Sequence, residues 1–134
     1  MLALNNTAEG FTLPIYFGNP VQNDNTASFI IDTTFTDILV ATKDCGFRCA
    51  YPVYDINAST TAIRRLNQTV NTQSKVVGEF TGEMVIDQVC IVYDTVCAKD
   101  VEFYAMAENW EFFNILGLAP INALEGPNLI RMLY

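Results

Sequence analysis

An all-β domain is predicted from three observations. Short runs rich in Phe, Val, Ile, Tyr and Thr recur along the chain, clusters of Gly, Pro, Asn and Asp punctuate them, and helix signals are sparse. The chain has 134 residues, one domain's worth, and 51% of them are apolar, enough to bury a core. No unbroken apolar stretch reaches the roughly 18 residues that span a bilayer, so a soluble fold is expected.

Residues 1–10 read as an N-terminal extension and 11–134 as the domain. The expected strands are Phe11–Phe17, Ala27–Ile31, Ile38–Ala41, Lys75–Val77, Glu79–Ile86, Gln88–Val92 and Val96–Ala107, each an apolar or β-branched run. Ser59–Leu66 is expected to hold a helical turn, with Ser or Thr at its start as the cap. Pro127–Tyr134 reads as a short C-terminal helix, with proline suited to its first turn and apolar residues spaced to form one face.

The net charge of −8 disfavours nucleic acid and anionic membrane surfaces as partners, because both require clustered Lys and Arg. Histidine is absent, so imidazole serves neither as a general base nor as a zinc ligand, and acid–base chemistry falls chiefly to carboxylates. No metal site is expected.

The four cysteines form two close pairs, Cys45 with Cys49 and Cys90 with Cys97. Disulfides are the natural reading. Three connectivities are possible, and each close pair flanks a plausible turn; Cys90 and Cys97 would face each other across a hairpin turning at Tyr93-Asp94-Thr95. Three N-x-[ST] sequons start at Asn5, Asn57 and Asn67. With the cysteines they favour an oxidising, secretory compartment. No basic and apolar signal segment precedes them, so a mature fragment is expected.

Candidate chemistry centres on Asp32. It follows the apolar run Phe29-Ile30-Ile31 and precedes Thr33, Thr34 and Phe35. Three ordered segments, Phe17-Gly18-Asn19-Pro20-Val21-Gln22, Phe29-Ile30-Ile31-Asp32-Thr33 and Ile115-Leu116-Gly117-Leu118, resemble the amino-terminal lobe of the pepsin-like aspartic peptidases. Thr81-Gly82 and Asp87 resemble the returning strand of that family's flap, and Cys45 and Cys49 fall where it usually has a small disulfide loop. The likeness covers about residues 11–134.

The resemblance implies a pepsin-like acid protease fold, here a single lobe, in which Ile115, Leu116 and Gly117 cross beside the catalytic loop in a ψ-shaped arrangement. It also implies a second, homologous lobe. Family chemistry needs two carboxylates sharing a proton to activate a water, and Asp32 matches one of them. No other D-[ST]-G occurs in the chain.

Four departures weaken catalysis. Thr34 replaces the glycine that leaves room for the shared water. Phe35 replaces a hydroxyl residue that supports the aspartate. Leu39 stands where the family usually has Trp. At the flap, Lys75, Val76, Val77 and Gly78 correspond to Tyr-Gly-[TS]-Gly, so the tyrosine is missing.

Two readings follow. One is an inactive, secreted peptidase homologue that binds a peptide or protein ligand in its cleft as an antigen-like protein. The other is an active endopeptidase working at acidic pH when paired with a second lobe. A homodimer of lobes and an ordinary turn aspartate remain further alternatives. Family habit implies secretion or an endolysosomal lumen and, since its nucleophile is water activated by carboxylates, no cofactor; the absence of histidine and the pI of about 4.2 suit an acidic fluid.

Overall fold

β-Branched and aromatic side chains fit pleated backbone well, and most runs of them here become strands. The structure, a computed structural model, describes residues 5–7, 10–22, 29–33, 37–43, 54–74, 78–108 and 114–118. Thr34, Phe35, Cys45, Cys49, Lys75, Val76, Val77 and the expected helix Pro127–Tyr134 lie outside the described residues.

Among the described residues the chain forms β1 Asn5–Thr7, β2 Gly10–Leu13, β3 Tyr16–Phe17, β4 Phe29–Asp32, β5 Ile38–Ala41, β6 Ile63–Ser74, β7 Gly78–Val92, β8 Val96–Glu108 and β9 Asn114–Gly117. They build one curled sheet in the order β1-β2-β4-β9-β5-β8-β7-β3, with β6 also paired to β7. The all-β expectation holds. No helix among the described residues is long and apolar enough to cross a membrane.

Local differences from the expected elements have physical causes. The run Phe11–Phe17 divides into β2 and β3 at Pro14-Ile15, where proline has no amide to give a ladder. β1 pairs with β2 through Asn6 and Phe11, so the sheet begins inside the stretch set apart as an extension. The runs on either side of Asp87 form one continuous strand, β7.

The helical turn expected at Ser59–Leu66 is corrected. A 3-10 turn forms earlier, at Ile56–Ala58, where an Asp55 carboxylate oxygen accepts the Asn57 amide at 3.0 Å. Residues from Ile63 onward instead pair with β7, from Ile63 opposite Ile86 to Ser74 opposite Gly78. Asn, Thr and Val are weak helix formers, and the long edge of β7 offers their backbones a full set of partners.

β7 and β8 meet in a hairpin, Val92 opposite Val96, braced by the Cys90–Cys97 disulfide. Asp94 turns it with φ of 51°, a left-handed position that aspartate tolerates. The main core lies on one face of the sheet. Phe17 is its hub, with ring centroids 5.0 Å from Phe103, 5.5 Å from Phe29 and 5.5 Å from Tyr54. Burying each such ring contributes about 2 kcal/mol.

Candidate functional site

Asp32 ends β4, and the sheet order explains how it is held. β9 lies between β4 and β5, parallel to β4 and antiparallel to β5. Asp32 opposes Gly117 on one side, and Ile38 opposes Leu116 on the other. At the end of β9 two adjacent amides hold the flanking chain: Leu118 N–H donates to the Asp32 carbonyl and Gly117 N–H to the Asp37 carbonyl, both at 2.9 Å.

Residues that oppose each other in a ladder share a face, and side chains alternate along each strand. Phe29, Ile38, Val40, Leu116, Phe103 and Ala105 point into the main core. Asp32 thus stands on the opposite face, together with Ile30, Ile115, Leu39 and Met106. That face is buried too: Ile115, Leu39 and Met106 are fully enclosed, and Asp32 itself is 4% exposed. Burial on both faces is why Phe29-Ile30-Ile31 and Ile38-Leu39-Val40 are unbroken apolar runs.

Asp37 lies across Gly117 from Asp32, its carbonyl accepting the Gly117 amide. Burial, then the Asp37 and Glu102 carboxylates, push the nearby Tyr104 phenol above its ordinary range. Thr33 is exposed immediately after Asp32.

Asn114 sets the far end of this arrangement and was not singled out from sequence. Its buried side-chain oxygen accepts the Ala41 amide at 2.7 Å, beyond the last ladder pair of the two strands, Leu39 opposite Ile115. An asparagine opening an apolar run was the available signal.

A second buried carboxylate, Asp87, sits where β7 changes partners. β6 pairs with β7 as far as Ile86, and β3 takes over at Val89. In the gap, Asp87 accepts from the Tyr54 hydroxyl at 2.6 Å, from the Gln88 amide at 2.8 Å and from the Thr61 hydroxyl. The carboxylate fills a break in the ladder, which is a structural role. On the other side β8 bulges, with Lys99 and Asp100 opposite Gln88. A recess of about 140 Å³ opens there, lined by Asn19, Thr61, Asp87, Gln88, Lys99 and Asp100.

The remaining sequence candidates are dispersed. Gly78 opens β7 opposite Ser74. Gly82 allows β7 to approach β8, since a Cβ there would stand 2.6 Å from the Ala105 carbonyl oxygen. Tyr54 is fully buried, and Tyr93 lies exposed at the β7–β8 turn, edge-on to Tyr16 at 5.4 Å. Asn5 lies in β1, Asn57 on the exposed 3-10 turn, and Asn67 in the part of β6 between Arg64 and Thr69 where pairing is interrupted. No cluster of three metal-ligating side chains occurs among the described residues.

No protein-family model matches the chain, and no curated protein matches it. The functional reading therefore rests on the residues and their geometry.

Proposed function

We propose that this chain is the amino-terminal lobe of a pepsin-like aspartic peptidase homologue that has kept the catalytic loop as architecture and functions by binding rather than hydrolysis. The supporting observation is the insertion of β9 between β4 and β5, with Asp32 at the end of β4, pinned beside Gly117 and Leu118 and almost wholly buried. A carboxylate that must activate a water against a peptide has to be reachable by both. The long antiparallel pair of β6 and β7 suits a flap over a cleft, without the tyrosine that the family uses.

In this reading the partners are a peptide or protein ligand in the cleft and a second homologous lobe, in a secreted or acidic endolysosomal setting. In the family's terms, Thr34 replaces the glycine that leaves room for the shared water, and Phe35 replaces the hydroxyl that supports the aspartate. The deciding experiment is digestion of denatured haemoglobin at acidic pH by the complete two-lobed protein. No cleavage is expected. Cleavage that pepstatin inhibits and Asp32→Asn removes would overturn the proposal and make Asp32 half of a working dyad.

A further inference from the structure

In the sequon Asn57-Ala58-Ser59, the side-chain geometry of the asparagine suits a permanent modification. Asn57 is exposed on the 3-10 turn Ile56–Ala58, and the Asp55 carboxylate caps its amide, so the turn holds the side chain outward without using it. Its Oδ1 accepts from the Arg64 guanidinium at 3.5 Å, a contact that does not use Nδ2, the atom a glycan would take. Two residues on, Ser59 supplies the hydroxyl that the sequon requires.

We propose that Asn57 carries an N-linked glycan. The proposal rests on the secretory part of the reading above and is independent of the fate of Asp32. In the transfer, Asn57 Nδ2 forms a bond to the anomeric carbon of an oligosaccharide carried on a lipid pyrophosphate. The bond from that carbon to the pyrophosphate oxygen breaks, the lipid pyrophosphate leaves with the electron pair, and one amide proton passes to a base.

The structure also orders this step in time. In the folded chain the Ser59 hydroxyl oxygen accepts the Asn19 amide at 3.0 Å and the Thr61 amide at 3.4 Å, so the sequon is tied into the fold. Transfer must precede closure of these contacts. Afterwards the sugar projects beside Arg64 at the start of β6, whose only strand partner among the described residues is β7. A glycan there shields a β6 edge that, among the described residues, has no further strand partner and carries the exposed Ile63.

The test uses the full chain behind a heterologous signal peptide, secreted from a eukaryotic cell line. Lys and Arg positions place the sequons in separate tryptic peptides, 1–43, 49–64 and 66–75. Enzymatic glycan release in ¹⁸O water converts each glycosylated Asn to ¹⁸O-labelled Asp, read by mass spectrometry. Label at position 57 in peptide 49–64 is expected, with loss of one glycan's mass in Asn57→Gln and retention in Ser59→Thr. Unlabelled Asn57 in secreted wild-type protein would overturn the proposal while leaving the haemoglobin experiment and the reading of Asp32 untouched.

Discussion

Replacing Tyr54 with Phe removes a single oxygen from the centre of the molecule. The ring keeps its packing, 5.3 Å from Phe103 and 5.5 Å from Phe17, so the change isolates the 2.6 Å hydrogen bond to Asp87. A hydrogen bond to a buried carboxylate is worth about 1.5–3 kcal/mol when one partner is deleted. With 134 residues and about 2.1 cal/mol/K of unfolding entropy per residue, Tm falls by about 5–10 °C. Thermal and urea unfolding followed by circular dichroism measure both quantities.

The same bond has a pH signature. Burial, then the hydrogen bond to Asp87 and its charge, push the Tyr54 phenol far above its ordinary value of 10.0. The folded state holds that proton more tightly than the unfolded chain does. Its contribution is therefore complete below pH 10 and declines as pH rises toward the folded value, by about 1.4 kcal/mol per unit once the unfolded phenol ionises. Tyr54→Phe lacks this loss, so the gap between wild type and variant narrows between pH 10 and 11, whereas any contribution from Tyr104 is common to both. Equal stabilities at pH 8, or parallel curves through pH 11, would refute the reasoning.

Gly82→Ala should destabilise by about 2 kcal/mol, because the new methyl meets the Ala105 carbonyl oxygen at 2.6 Å and neither backbone can yield cheaply; urea midpoints measure it. Asn114→Ala leaves the Ala41 amide buried without its acceptor and should cost about 1–3 kcal/mol, with faster amide exchange at Ala41 as the local signature. Reducing Cys90–Cys97, seven positions apart, releases a short loop and should cost about 2.5 kcal/mol by loop entropy, read from urea unfolding with and without reductant.

Much of the architecture was legible in the amino acids. The alternating and continuous apolar runs marked β2, β4, β5, β7 and β8, and the turn Tyr93-Asp94-Thr95 put Cys90 and Cys97 opposite each other, as they stand. β6 was missed at Ile63–Leu66 because Arg64, Arg65 and the polar residues that follow show no period of two. That segment is a strand because β7 supplies hydrogen-bond partners, and a partner 20 residues away leaves no local trace. Asn114 escaped notice for the same reason, since what it does depends on a backbone brought from elsewhere.

For Asp32, the local sequence determined a carboxylate at the end of an apolar strand, facing opposite to Phe29 and Ile31, because side-chain alternation is a property of the strand itself. Only the tertiary structure decided what surrounds it. The insertion of β9 between β4 and β5 sets Gly117 beside Asp32, ties both ends of its loop to consecutive amides, and buries the carboxylate among Ile30, Leu39 and Ile115. Strand order is a long-range outcome of packing two faces at once, and no stretch of eleven residues contains it.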